Sequence, residues 1–301
     1  MFVFFGVKKT SLSMLEFLKL KKIKIDLIVS INPSIAKKNK VAGYFNLKSF
    51  AKKNKIKIYF LNSYSISKND IKYFSNNNYS IGLAYGWQRI IKSEILDLFK
   101  FGIFGFHGSY MKLPNGSGRS PFNWSIRKNK KFIFQNLFKY TDKFDRGPIF
   151  NTVKFPIYES DNINSLQFKG FYFAKNQVIN LLKKYKDKNK ITIKKQKYLQ
   201  KIITFPKLSF ADSKIRFDKN INYNLNIIRA SCFPFSGSHL FMYDKEILII
   251  HEAKLFLKEN KNEIKNNNKS YILDIYNDGS FIFPLYDGII NVTNYEFKGN
   301  I

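Results

Sequence analysis

The 301-residue chain contains a single cysteine, Cys232, so no internal disulfide can staple it. Histidine is almost as scarce, with three residues in all, and no C-x-x-C pair occurs; no metal site is expected. Long apolar runs are also missing: lysine breaks each one well short of the ~20 residues a membrane helix needs, so no membrane insertion is expected. The opening Met1-Phe2-Val3-Phe4-Phe5-Gly6 has no basic segment before it and is too short for a signal peptide. A soluble cytoplasmic protein is the starting expectation. No G-x-G-x-x-G follows the first apolar run, and no G-x-x-x-x-G-K followed by Ser or Thr occurs anywhere. NAD or ATP held in the standard manner is therefore excluded. No internal repeat is visible.

What the chain does have is enough apolar material for real cores, with 45% hydrophobic and 17% aromatic residues. At roughly 150 residues per domain its length suggests two domains. The formal net charge of +31 comes from 52 basic against 21 acidic residues, but 46 of the 52 are lysine and only six arginine. Specific phosphate and base recognition leans on the planar arginine fork, which binds bidentately. The lysine excess, together with abundant Asn, Ile, Phe and Tyr, reads as a bias toward AT-rich codons. Such a surface still concentrates anionic substrates, and a nucleotide-linked sugar qualifies as readily as an RNA.

The hydrophobic pattern alternates strand and helix through the first half. Strands are expected at residues 1–6, 25–29, 56–61, 80–85 and 102–106, the last ending at His107. Helical patterns fall at 12–18, 47–53 and 93–99, and a long one at 164–186. That alternation implies an α/β fold with a doubly wound, Rossmann-like parallel sheet, binding its ligands at the carboxyl ends of the strands. Residues 185–201 are lysine-rich with weak periodicity and read as a linker containing a short strand. Beyond Phe205 come a helix near 223–230 and short strands at 247–250, 271–275 and 280–283, with turns at Asn277-Asp278-Gly279 and Asp287-Gly288 and a loop tip at Asn266-Asn267-Asn268. The expected organisation is residues 1–188 as an α/β domain, 189–206 as a linker and 207–301 as a smaller β-rich domain.

Two clusters carry chemistry. The first is the glycine-rich loop from His107-Gly108-Ser109 through Leu113-Pro114 to Gly118-Arg119-Ser120-Pro121-Phe122-Asn123-Trp124. A histidine where a strand delivers it to such a loop stands where a general base would stand, although it could equally just cap the loop. The second is Asp142-Lys143-Phe144-Asp145-Arg146-Gly147-Pro148-Ile149. An Asp before Gly-Pro can be a turn former, or it can aim a carboxylate at an imidazole.

Together, in this order, the clusters resemble the N10-formyltetrahydrofolate-dependent formyltransferases. The amino-sugar branch is the nearest likeness, as in the UDP-4-amino-4-deoxy-L-arabinose formyltransferase domain, and methionyl-tRNA formyltransferase is related. The likeness continues upstream through Ala84-Tyr85-Gly86-Trp87-Gln88-Arg89-Ile90-Ile91. Downstream it runs through Ala211-Asp212-Ser213-Lys214-Ile215-Arg216-Phe217, Ile228-Arg229-Ala230 and Phe233-Pro234-Phe235-Ser236-Gly237. The resemblance implies a formyltransferase domain followed by an OB-like C-terminal domain. It implies formyl transfer from N10-formyltetrahydrofolate to the primary amine of a nucleotide-linked amino sugar, with methionyl-tRNA as the alternative acceptor. His107 and Asp145 become the catalytic pair. Arg89, Ile90, Ile91, Arg119, Thr141, Asp142, Lys143 and Phe144 become the folate-binding set. Several sugar-branch relatives are dimers, which makes a homodimer an expectation. One departure stands out: the family has asparagine two residues before the histidine, where its amide polarises the formyl oxygen, and this chain has Gly105. Losing such a donor costs about 10²–10³ in rate, so a catalytically impaired folate- or sugar-binding relative is the further alternative. Ser109, a backbone N–H or a water could take its place.

Overall fold

The structure is a computed structural model and describes residues 1–187, 191–197, 199–242, 246–258 and 272–299. The loop tip at Asn266–Asn268, Tyr271 and the expected boundary at 188–189 lie outside the described residues.

The first half alternates strand and helix: β1 (Phe2–Phe5), α1 (Lys9–Leu20), β2 (Leu27–Ile31), α2 (Pro33–Lys38), α3 (Lys48–Lys53), β3 (Lys57–Leu61), α4 (Lys68–Ser75), β4 (Tyr79–Ala84), α5 (Ser93–Leu96) and β5 (Phe99–Ser109). The short β6 (Ser117–Gly118) and α6 (Pro121–Arg127) follow, then β7 (Phe132–Lys139), β8 (Ile149–Pro156) and the 24-residue α7 (Ile163–Lys186). Seven strands form one sheet in the order β3-β2-β1-β4-β5-β7-β8. The five from β3 to β5 are parallel, whereas β7 and β8 are antiparallel additions.

Strand β1 shows why the centre of this sheet is so apolar. Alternate side chains point to opposite faces, and both faces are covered. Phe2 and Phe4 enter one core with Met14, Leu15 and Leu18 of α1 and Val178 and Leu181 of α7. Val3 and Phe5 enter another with Phe74 of α4 and Ile95 of α5. A strand buried on both sides reads as a continuous hydrophobic run, and each such side chain contributes about 1.5–3 kcal/mol by leaving water. Helix α7 is capped at Asn162, whose side chain accepts from the N–H groups of Asn164 (2.9 Å) and Ser165 (3.0 Å).

The alternating sequence pattern does not reveal β7, because it lies between the two motif clusters and its apolar residues do not alternate regularly. Helix α6 is hidden by the Gly, Pro and Ser content of its loop. It begins on Pro121, a residue suited to a first helical turn, after Ser120 at φ 53°.

After α7 the chain forms β9 (Thr204–Phe205), α8 (Ile221–Ser231), β10 (Ser238–Phe241), β11 (Ile247–Lys258), β12 (Asp274–Ile275), β13 (Phe281–Leu285) and β14 (Gly288–Lys298). The last five strands make an antiparallel sheet ordered β10-β11-β14-β13-β12, with its own core around Leu248, Phe281, Phe283 and Ile290. Helices α6 and α8 join the two halves: Asn123 Nδ2 donates to the Ala230 carbonyl (2.7 Å), and Ile126 packs with Ala230 and Cys232. The segment expected as a linker is tied into the first half at several points. Lys194 and Ile149 form a bridge, and β9 pairs in parallel with β6. No helix among the described residues is long and apolar enough to cross a membrane.

Candidate functional site

Strand β5 runs past its parallel partner. Its last parallel pairing is Ala84 with Gly105, and beyond that only antiparallel β7 accompanies it, to Ser109. His107 therefore lies inside a strand rather than at its end, yet beyond the parallel part of the sheet, which is where open α/β sheets bind ligands. Its backbone is fixed by Asn136, the residue opposite on β7, whose side-chain amide donates to the His107 carbonyl at 3.3 Å. Thr152 in turn donates to the Asn136 oxygen (2.7 Å).

The imidazole is buried, 7% exposed, and both its nitrogens are engaged. Nε2 lies 2.6 Å from the Gly116 carbonyl, which can only accept, so Nε2 carries a proton. Nδ1 lies 3.3 Å from Oδ2 of Asp145. The carboxylate is buried as well, 8% exposed, and also accepts from the Gly118 N–H (3.2 Å). Asp145 sits at φ 54°, and its carbonyl is held by the Gln196 amide (2.9 Å), which also donates to the Gly147 carbonyl (2.8 Å). Gln196 comes from the lysine-rich segment, where nothing in the sequence marked it. The glycine-rich loop is braced from below: Trp124 stacks on Phe205, and its indole N–H donates to the Pro206 carbonyl (3.0 Å).

Burial pushes the Asp145 carboxyl above its ordinary pKa; the neighbouring imidazole, the Gly118 N–H and Arg146 pull the other way without cancelling it. An acid limb of the rate profile set by Asp145 should thus lie above the usual carboxylate range, with activity falling as pH drops through it. A carboxyl raised in the folded state costs stability as pH rises from its ordinary value to the raised one, and the full cost persists at neutral pH. Asp145→Asn should therefore melt at a higher temperature at neutral pH while turning over more slowly, which a thermal melt and a rate assay on one preparation can check. A lower melting temperature would contradict the burial argument.

Apart from Arg119, the remaining expected residues fall in two segments, both next to Tyr140 in the core or the chain. Ile91 is buried in the core that Tyr140 packs against, with Trp87 in the same cluster, while Ile90 stands 61% exposed. Arg89 lies over the Tyr64 ring at 4.3 Å and near Trp87 at 5.5 Å. Its guanidinium nitrogens are buried without a hydrogen-bond partner; the nearby Tyr64 phenol raises its pKa but does not offset the lowering by burial. On the other side, Thr141 is half-buried, with its hydroxyl bonded to the backbone of Lys143 (3.1 and 3.3 Å). Asp142 and Lys143 are exposed, and Phe144 is 56% exposed. Arg119 is exposed; its N–H donates to the Phe205 carbonyl (2.9 Å).

Sequence reasoning missed Lys8. It follows β1, its Cβ approaches Gly86, and its ammonium is held below the ordinary lysine pKa by burial and then by the charge of Arg119. Neither cation belongs to an ion pair among the described residues. Two unpaired cations close enough for one to lower the pKa of the other suit an anionic ligand. Ser109, in contrast, is committed to its own loop: it donates to the Met111 carbonyl (2.8 Å) and accepts from the Met111 N–H (3.1 Å).

No protein-family model matches the chain. Among curated proteins it is 31% identical over 171 residues to the bifunctional polymyxin resistance protein ArnA of Wigglesworthia glossinidia brevipalpis, covering 55% of this chain and 25% of that protein. It is 27% identical over 218 residues to the methionyl-tRNA formyltransferase of Pseudothermotoga lettingae, covering 72% of this chain and 67% of the relative. The chain is thus similar in sequence to a methionyl-tRNA formyltransferase over most of its length. It spans a quarter of the length of the first of these relatives and about two thirds of the second. Among solved structures, an N-formyltransferase from Helicobacter canadensis, crystallised with folinic acid and dTDP-3-aminofucose, shares the fold with a TM-score of 0.68 at 18% identity. That match covers 98% of this chain and 99% of the other. The formyltransferase fold thus accounts for both halves, including the antiparallel sheet.

Proposed function

We propose that this formyltransferase moves a formyl group from N10-formyltetrahydrofolate to the primary amine of a nucleotide-linked amino sugar, with His107 as proton shuttle and Asp145 as its orienting partner. The observation that carries the reading is the buried His107–Asp145 pair, held beyond the parallel part of the sheet, where open α/β sheets bind ligands.

The donor is a co-substrate. Exposed Ile90 and Phe144 offer apolar surface to a flat ring system, and Arg89, next to Ile90 in sequence, is a cation for the carboxylates such a donor carries. Attack by a neutral amine needs a base; departure of the folate nitrogen needs an acid. His107 can serve both, taking the amine's proton and returning it to N10. For this, Nε2 leaves the Gly116 carbonyl and the neutral ring takes the tautomer with its single proton on Nδ1, facing Asp145, so that Nε2 is free to accept from the amine. Asp145 holds the ring's other nitrogen and stabilises the imidazolium between the two transfers. Lys8 and Arg119 supply charge for a diphosphate, and the lysine-rich, arginine-poor surface requires no nucleic acid partner.

A panel of nucleotide-linked amino sugars and, separately, methionyl-tRNA, each offered with N10-formyltetrahydrofolate, tests the reading by mass spectrometry. One added formyl group on a sugar supports it; formylation of methionyl-tRNA alone overturns the acceptor. With the active sugar in hand, Lys8→Met keeps the chain length and removes the charge. The KM for that acceptor should rise about tenfold, equivalent to ~1.4 kcal/mol, with the KM for the donor unchanged. An effect on the donor alone would place Lys8 in the folate half of the crevice.

A further inference from the structure

Gly105 and His107 are two residues apart on β5, so a side chain at 105 would project from the same face as the imidazole. That space is not open. A Cβ at Gly105 would run directly into the ring and hydroxyl of Tyr140. Tyr140 follows the last residue of β7, and its N–H donates to the Ile103 carbonyl at 2.7 Å, which brings the side chain across β5 at position 105. One flank of the ring packs against Phe138 (centroids 5.4 Å apart), and the other belongs to the core containing Trp87, Ile91 and Ile103. Packing fixes the ring, yet its hydroxyl enters no hydrogen bond among the described residues.

From this placement, and resting on the formyl-transfer reading, we infer that Tyr140 is a catalytic residue: its phenol O–H is the hydrogen-bond donor to the formyl oxygen, in the space that the side chain-free Gly105 leaves. When the amine nitrogen bonds to the formyl carbon, the carbonyl π pair moves to oxygen. The Tyr140 O–H stabilises that negative oxygen without giving up its proton. When the pair returns, the carbon–N10 bond breaks and His107 protonates the departing nitrogen. A donor fixed in advance where charge develops is among the largest contributions to such a reaction. The phenol suits the task because burial, reinforced by the Asp145 charge, pushes its pKa above the ordinary tyrosine value, so it keeps its proton throughout the working pH range. Ser109, the other hydroxyl on this face, is already taken up by Met111.

The test compares wild type with Tyr140→Phe, which keeps the ring and removes only the oxygen. Once formyl transfer by the wild type has been measured, kcat should fall about 10²–10³-fold. Both KM values and the affinity for folate formylated at N5, which cannot donate, should stay within threefold. Moving the donor back to the strand gives an independent arm: Gly105→Asn with Tyr140→Ala should turn over at least tenfold faster than Tyr140→Ala alone. A kcat for Tyr140→Phe within threefold of wild type overturns the inference, as does a loss confined to KM. A wild type inactive on every acceptor overturns the functional reading itself, before any variant is made. Should Tyr140→Phe fail to fold, difluorotyrosine placed at 140 keeps a more acidic hydroxyl. An alkaline limb of kcat that the wild type lacks in its working range should then appear, and its absence overturns the inference.

Discussion

His107→Ala is expected to lower kcat for formyl transfer by about 10²–10⁴-fold, the usual contribution of a positioned acid–base group, while leaving folate affinity within a few-fold. The reason is geometric. The imidazole is the one titratable ring between the Gly116 carbonyl (2.6 Å) and the Asp145 carboxylate (3.3 Å), and it lies on the strand face that the loop covers. Removing it takes away the proton shuttle but none of the walls assigned to folate. It also leaves Asp145 buried beside Arg146 without its imidazole neighbour. The pH dependence should change with the rate: the residual activity of the variant should lose the limb set by the pair. Steady-state rates across pH, with folate binding measured on the same samples, check both parts. A variant that retains more than a tenth of wild-type kcat would remove His107 from the chemistry.

Gly147→Ala is the second large effect, and it acts through the backbone. A Cβ at this position would collide with the Lys139 carbonyl, a main-chain atom that cannot swing aside. The same turn is closed by the Lys139 N–H, which donates to the Pro148 carbonyl at 2.9 Å, and by the Gln196 amide. Forcing a methyl group into such a site costs about 1–3 kcal/mol in stability. The turn also delivers Asp145 to His107, and a displacement of about 1 Å in a catalytic group can cost about 10²-fold in rate. Denaturant melts and kcat should thus fall together. Gln196→Ala, which removes two hydrogen bonds but adds no clash, should do the same more weakly. Full activity in Gly147→Ala would show that the turn does not position the carboxylate.

The alternating half of the fold was legible because parallel strands buried on both faces must be apolar throughout, as Phe2–Phe5 and residues 27–29 are. The antiparallel additions were not. Phe132–Lys139 carries no alternation that separates it from its flanks, and its pairing with β5 is a long-range event. The histidine was legible as a residue, but its neighbours came partly from elsewhere in the chain. Gln196 sits in a run whose composition looked like a tether, Lys8 was one lysine among 46, and Tyr140 was one aromatic among many. The most informative signal was an absence: Gly105, where the resemblance implies asparagine, pointed to a missing group. Only the fold could show which side chain takes that space, because β5 and β7 meet there across more than thirty residues of sequence.

The most direct measurement follows a ¹³C-labelled formyl group by NMR from N10 of tetrahydrofolate in the presence of the purified protein and an amino-sugar nucleotide. The expected result is that the label leaves the folate and appears as the sugar formamide at the same rate, and that both signals stay unchanged with His107→Ala. Label released as formate, or retained on the folate while methionyl-tRNA alone becomes formylated, would contradict transfer to a sugar amine.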